Sequence, residues 1–229
     1  AERVGEDRFA DMLARFGLGQ RTDVGLPGES AGSVPNRDQW SGGTFANLPI
    51  GQGLSMTLLQ MTAMYQAIAN DGVRIPPRIV DATVDPDGNR TETEQPEGVH
   101  VVSPETASTV RQMFRSVTQD DNGNQRGTGV AAGVEGYQIS GKTGTAQQVD
   151  PNCGCYSNSD YWITFAGIAP ADDPRYVIGI MLDAPTRSAD GSGGQSAAPL
   201  FHNIASWMLE RDSVPFSADP GPKLVLQAD

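Results

Sequence analysis

The sequence is poor in the residues from which metal centres and disulfide frameworks are built. Its 229 residues include only two cysteines and two histidines. The cysteines stand together as Cys153-Gly154-Cys155, and the histidines, His100 and His202, lie far from them in the chain. A zinc site takes about four ligands, so this set argues against a metal. Neither histidine falls in a triad or ligand pattern, and both read as surface or structural residues. A disulfide across one residue would close a small ring. Two free thiols are the alternative, and the pair does not define a redox compartment. Basic residues are also scarce, 16 against 28 acidic, for a net charge of −12. That balance argues against a broad phosphate-binding surface and against nucleic acid as the main partner. Long apolar runs are missing too. Residues 44–70 carry no charge, but Pro49, Gly51, Gly53, two Asn and three Gln interrupt them. They read as a turn and a buried helix, not as a membrane span.

What is abundant is glycine and proline, 27 and 16 residues, which predicts frequent turns. The spacing of Val4, Phe9, Met12, Leu13 and Phe16 predicts a helix over 2–16. Residues 41–53 look irregular. Thr57 and Gln60 have capping-box spacing ahead of a helix that is apolar nearly all round, ended by Asn70-Asp71-Gly72. Residues 73–102 read as short strands around a polar tip, 85–89. Ser103-Pro104-Glu105 opens a helix running to about Thr118, and 119–133 reads as a mobile loop. Three strands are expected at about 137–146, 161–168 and 176–183, the last almost wholly apolar and so assigned a central place. A helix at about 197–211 has Leu200, Ile204, Trp207 and Met208 on one face. The three tryptophans, Trp40, Trp162 and Trp207, are expected in core or packing roles. The fold class is α/β (α+β): an antiparallel sheet covered by helices over 1–212, followed by a tail at 213–229 without regular structure.

One segment carries chemistry. From Gly127 to Pro174 the only basic residue is Lys142, set in Gly141-Lys142-Thr143-Gly144-Thr145. Its neighbours are small or hydroxylated, so the ammonium is unshielded, Gly144 permits close backbone approach, and Thr143 and Thr145 offer hydroxyls. An edge strand of this kind can accept an extended peptide as an added strand. A solvated surface lysine is the plainer reading. The stretch 136–143 also matches the phosphate-loop expression G-x-x-x-x-G-K-[ST]. However, Tyr137 and Ile139 alternate as in a strand, and nothing after Thr143 opens a helix.

Several segments in order resemble class B penicillin-binding proteins, above all the FtsI-like enzymes. They are Phe16-Gly17-Leu18-Gly19 with Thr22 and Leu26-Pro27-Gly28-Glu29; Gly51-Gln52-Gly53 with Thr57, Leu59 and Gln60; Lys142-Thr143-Gly144-Thr145-Ala146; Phe165-Ala166-Gly167 with Ala169-Pro170; and Ala198-Pro199-Leu200-Phe201. The resemblance implies a β-lactamase/penicillin-binding transpeptidase-like fold with a five-stranded antiparallel sheet between helical layers, incomplete in this chain. It implies a peptidoglycan D,D-transpeptidase of septal cell-wall synthesis that cross-links stem peptides through a serine acyl-enzyme and is acylated by β-lactams. Lys142 would hold the proton-transfer and carboxylate network. Thr143 and Thr145 would bind the ligand carboxylate, with Gly144 between them. The Thr145 N–H would form half of an oxyanion hole, and Tyr161 would line the cleft. No cofactor is implied. The implied partners are stem peptides, β-lactam antibiotics, the upstream half of the same domain and membrane proteins of the divisome. The implied location is the extracytoplasmic face of the bacterial membrane, through an anchor upstream of this sequence.

The chain departs from the family pattern in lacking its nucleophile motif. The only serine with Lys or Arg three residues on is Ser108, paired with Arg111 inside a predicted helix, and Ser33-Val34-Pro35 and Ser157-Asn158-Ser159 both fail the second motif. The chain thus reads as the part of a transpeptidase domain that follows the second motif, unable alone to form an acyl-enzyme. The loop at 184–196 has no aromatic residue, which predicts an open cleft wall. A β-lactamase or D,D-carboxypeptidase shares the lysine motif, and a β-lactam sensor or division scaffold is the non-enzymatic alternative.

Overall fold

The computed structural model describes residues 1–121, 123–186, 192–219 and 221–226. The chain opens with α1 (Glu6–Arg15), which begins after Gly5 at φ 81. That left-handed residue stops the helix from reaching back over 2–4, where the sequence pattern predicted it. The stretch 41–53 is more regular than expected. Ser41 accepts the Thr44 N–H, and Thr44 Oγ1 accepts the Ser41 N–H, which nucleates α2 (Gly42–Asn47). Trp40 stacks on Phe45 at 6.0 Å, and Phe9 meets both rings edge-on.

The capping box predicted at Thr57 is present. Thr57 N donates to Gln60 Oε1 at 2.8 Å and Gln60 N to Thr57 Oγ1 at 3.1 Å, starting α3 (Leu58–Ala69). Gln60 is buried and does more than cap. Its Nε2 donates to the Gln20 and Ala31 carbonyls at 2.7 and 2.8 Å, pinning the turn-rich segment to the helix. That segment is tied from its other end by Glu29, which accepts from Thr22 N at 2.8 Å, Thr22 Oγ1 at 2.5 Å and Asp23 N at 3.1 Å. The Thr22 hydroxyl is the main cause that holds the Glu29 carboxyl below its usual range.

Two small ladders follow. β1 (Val73–Arg74) pairs with β4 (Val99–His100), and β2 (Ala82–Val84) with β3 (Arg90–Glu92) around the Asp85–Asn89 tip. α4 (Pro104–Phe114) starts at Ser103 as predicted. Residues 119–133, expected as a mobile loop, contain short 3-10 turns at 123–125 and 130–132, held by Gly127 N to Gln119 O and Gly129 N to Val117 O, both at 2.8 Å.

The main sheet is β5 (Ser140–Val149), β6 (Tyr156–Ala169) and β7 (Tyr176–Asp183), antiparallel in the order β5-β6-β7. It has three strands among the described residues where the resemblance implied five. β6 is central, and its Ile163, Phe165, Ala166, Ile168 and Ala169 are all buried. β7, assigned a central place for its apolar sequence, lies at an edge among the described residues. Apolarity measures burial of side chains, not pairing of both backbone edges. β6 also starts five residues earlier than predicted, so β5 and β6 form one long hairpin with a bulge between Gln147 and Val149.

α5 (Gly193–Arg211) covers one sheet face and α3 the other. Ala197, Ala198 and Ala205 bring α5 close, so that Phe201 meets Phe165 at 4.9 Å between ring centroids. A Cβ on Gly167 would lie 2.7 Å from Phe201, and one on Gly179 would lie 2.3 Å from Thr62 Oγ1 of α3. Burying such a phenylalanine is worth about 1.5–3 kcal/mol. Most of the face of α5 picked out by sequence period is the outer one: Leu200 and Ile204 are each 40% exposed and Trp207 58%, whereas Met208 packs against the core. Trp162 is also 39% exposed and Trp40 is half-buried, so none of the three tryptophans is a buried core residue, although Trp40 packs against Phe9 and Phe45. The described residues after Asp212 lack regular structure, yet they are anchored: Tyr137 OH donates to Val214 O at 2.6 Å and Leu224 N to Gln119 Oε1 at 2.7 Å. No helix among the described residues is long and apolar enough to cross a membrane.

Candidate active site

β5 pairs with β6 on one side only, and among the described residues no strand pairs with its other edge. The register is Lys142↔Ala166, Thr143↔Phe165, Gly144↔Thr164 and Thr145↔Ile163. Side chains alternate across a strand. Thr143 and Thr145 therefore share the face of Phe165, which α5 covers. Lys142 and Gly144 share the face of Ala166 and, one strand further, of Gly179 against α3. Tyr161, opposite Gln147, is on the same face as Thr145 and two pairs further out, beyond Ala146↔Trp162. It is half-buried and leans on the sheet's core.

Lys142 is exposed, and its Nζ donates to the Thr143 carbonyl at 2.9 Å. The ammonium thus lies along the strand that carries it, with two more N–H donors available. Thr143 Oγ1 is 3.0 Å from Thr128 Oγ1. Thr145 Oγ1 accepts the Gly193 N–H at 3.3 Å. A hydroxyl that accepts from the backbone keeps its own hydrogen for a ligand, so Thr145 is set to donate to an acceptor such as a carboxylate. One cation and two hydroxyls along this strand are groups of the kind that bind anions and extended peptides.

The glycines make this approach possible. A Cβ on Gly144 would fall 2.2 Å from Thr164 Oγ1. At Gly193 it would meet Thr164 O at 2.5 Å and Gly144 O at 2.9 Å, and at Gly194 it would meet Thr128 O at 2.1 Å. The first turn of α5 therefore sits on the backbone of β5. Sequence reading anticipated close approach at Gly144 but not its partner, Gly193, nor Thr128. The available signal was Ser192-Gly193-Gly194 just before the apolar period of α5, an N-cap serine followed by a doublet that admits close contact. Residues 187–191 of the ring-free segment 184–196 lie outside the described residues. Of its described part, Ala184 N donates to Tyr161 O at 3.1 Å and Ser192 is the N-cap of α5.

Cys153 and Cys155 form a disulfide, which settles the alternative left by the sequence. His202 Nδ1 lies 2.6 Å from Gly133 O, a structural contact. Among the described residues no cluster of His, Cys, Asp and Glu could hold a metal ion. The phosphate-loop match fails structurally, because 140–149 is a continuous strand.

These features coincide with a known family. The profile described as penicillin binding protein transpeptidase domain matches residues 1–206, and the chain belongs to this family. The relatives it resembles are of the PbpB and FtsI-like kind. The chain is 71% identical over all 229 residues to penicillin-binding protein PbpB of Mycolicibacterium smegmatis, covering 35% of that protein. It is 35% identical over 208 residues, 90% of the chain, to the probable peptidoglycan D,D-transpeptidase PenA of Neisseria meningitidis, covering 32% of that protein. The crystal structure of penicillin-binding protein 3 from Mycobacterium tuberculosis complexed with ampicillin superposes with a TM-score of 0.94 at 71% identity, over all of this chain and 51% of that one. The chain thus spans about a third of the length of the curated relatives it matches.

Proposed function

We propose that this chain is the lysine-bearing wall of a peptidoglycan D,D-transpeptidase that cross-links stem peptides through a serine acyl-enzyme and is acylated by β-lactams. The observation that carries the reading is the Lys142–Thr145 edge, with the Thr145 hydroxyl oriented by the Gly193 amide. The ampicillin complex of the 71% identical relative supports β-lactams as ligands. In this reading the stem peptide lies along the open edge of β5. Thr143 and Thr145 hold its carboxylate, Lys142 supplies positive potential to the proton-transfer network, and the Thr145 N–H faces the developing oxyanion. Tyr161 borders the same cleft. The nucleophile comes from residues outside this sequence.

The rest of the domain is the first partner. The edge of β7 that is unpaired among the described residues and the outer face of α5, where Leu200, Ile204 and Trp207 are exposed, are the surfaces it would cover. Septal cell-wall synthesis, contact with membrane proteins of the divisome and an extracytoplasmic location follow as parts of the same proposal.

Labelled penicillin tests it. The full-length protein carrying this sequence should be labelled covalently, the 229-residue chain alone should not, and Lys142→Ala should slow labelling by on the order of a hundredfold. No labelling of the folded full-length protein would refute the enzyme reading. Fast release of hydrolysed drug would favour a β-lactamase or carboxypeptidase. Normal labelling and cross-linking by Lys142→Ala would favour a sensor or scaffold.

A further inference from the structure

The hairpin that carries Lys142 and Thr145 ends in a turn at 150–155 closed by the Cys153–Cys155 disulfide. Both residues are exposed, and the sequence has no third cysteine to compete for either. The turn has its own frame: Asp150 N donates to Cys155 O and Gly154 N to Asp150 O, each at 2.8 Å, with Gly154 at φ 66. It joins the hairpin through a single pair, Val149↔Tyr156, beyond the bulge. Just inside that bulge lies Gln147↔Tyr161, and then Thr145↔Ile163.

We propose that Cys153–Cys155 is a reversible redox site that exchanges with an external dithiol, and that its opening loosens the hairpin's outer end while the ladder from Thr145↔Ile163 inward stays paired. The Cys155 N–H donates to Cys153 Sγ at 3.3 Å, so negative charge is better stabilised on Cys153. The turn's carboxylate, Asp150, is engaged by Asn152 through its N–H and Nδ2.

The exchange balances as follows. A thiolate of the external dithiol attacks Cys155 Sγ. The S–S bond breaks, and its electron pair leaves on Cys153 Sγ, which takes a proton from water. The dithiol's second thiol, deprotonated, then attacks its own mixed-disulfide sulfur and releases the Cys155 thiolate. The external dithiol ends as a cyclic disulfide, oxidised by two electrons, and the protein gains two thiols. A monothiol cannot finish this sequence efficiently. Its mixed disulfide is attacked by the protein's other cysteine, one residue away and present at high effective concentration, which restores the original bond.

The full-length protein carrying this sequence, folded and at neutral pH, is incubated with millimolar dithiothreitol or millimolar glutathione and quenched with a maleimide. After digestion, the peptide containing Cys153 and Cys155 should carry two adducts in the dithiothreitol arm and essentially none in the glutathione arm. Hydrogen exchange at 149–161 should speed up by about tenfold or more in the reduced protein, with 163–169 unchanged. The C153S/C155S double variant should show the fast exchange without reductant. If that variant does not fold, reduced wild type carries the test. Absence of adducts with dithiothreitol, equal opening by glutathione, or unchanged exchange at 149–161 after opening would each overturn the proposal.

Discussion

The Thr145 hydroxyl accepts the Gly193 amide at 3.3 Å, joining the strand that bears the lysine to the first residue of the last helix. Forty-eight residues separate the two in sequence. The contact fixes the rotamer of Thr145 and the height at which α5 meets the sheet.

Replacing Gly193 with alanine should therefore damage the site. The new Cβ would stand 2.5 Å from Thr164 O and 2.9 Å from Gly144 O, both backbone atoms that cannot swing aside. The helix start must lift away, and Thr145 loses its amide. Acylation of the full-length protein by labelled penicillin should fall on the order of a hundredfold, the usual consequence of a misplacement near 1 Å. Near-wild-type acylation by Gly193→Ala would show that α5 does not set the geometry of β5.

Thr145→Val keeps the shape and removes the hydroxyl. It deletes one donor to an anionic ligand and leaves the Gly193 N–H without its acceptor. A hydrogen bond to a charged group is worth about 1.5–3 kcal/mol, so penicillin acylation should drop about ten- to a hundredfold. Thr145→Ser should stay within a few-fold of wild type. Equal loss in both variants would mean that the methyl group matters, not the hydroxyl.

Gln60→Leu tests the anchor of the turn-rich segment. The leucine fills the space but abandons the Gln20 and Ala31 carbonyls and the Thr57 N–H. Unpaired buried groups cost about 1–3 kcal/mol each, and partial rehydration will offset some of that. A loss of about 2–4 kcal/mol is expected, seen as a melting temperature lower by roughly 5–15 °C for a chain of this size.

The Glu29 clasp makes stability depend on pH. The folded state lowers the Glu29 pKa, chiefly through the Thr22 hydroxyl and then the Thr22 amide. An acid with a depressed folded pKa contributes its stability above the unfolded value and loses it as pH falls through the folded value. Wild type should therefore melt higher than Glu29→Gln at pH 7. The difference should shrink below the ordinary glutamate pKa of about 4.3 and vanish in stronger acid. A difference that is constant with pH would remove the carboxylate from the account.

The legible parts of the chain were those written locally. The Thr57–Gln60 box and the Ser103 cap are signals three residues long, and both are present. Lys142 was conspicuous because nothing basic surrounds it in sequence, and the structure leaves it exposed on a strand whose other edge is unpaired among the described residues. The errors came from properties that belong to pairs of elements. The period of α5 marks Leu200, Ile204 and Trp207 as readily as the opposite face. Only the sheet decides that Ala197, Ala198, Phe201, Ala205 and Leu209 go inside, because small residues let Phe201 reach Phe165. The first part of β6, Ser157-Asn158-Ser159-Asp160, has low strand propensity. It is held by the β5 hairpin and by Ser157 Oγ, which accepts the N–H groups of Ser159 and Asp160 at 3.2 and 3.0 Å. Thr128 reaches Thr143 across a turn whose path no periodicity encodes.

β7 gives the chain a problem of timing. Val177, Ile178, Ile180, Met181 and Leu182 sit on a strand with one edge unpaired among the described residues. Such an edge is a template for any strand that arrives first. If the proposed remainder of the domain supplies its partner, that strand must dock before a second copy of the chain does, so folding becomes a race between an intramolecular and a concentration-dependent reaction. Dilution and co-synthesis with the rest of the protein favour the first; expression of this chain alone at high concentration favours edge-to-edge aggregates.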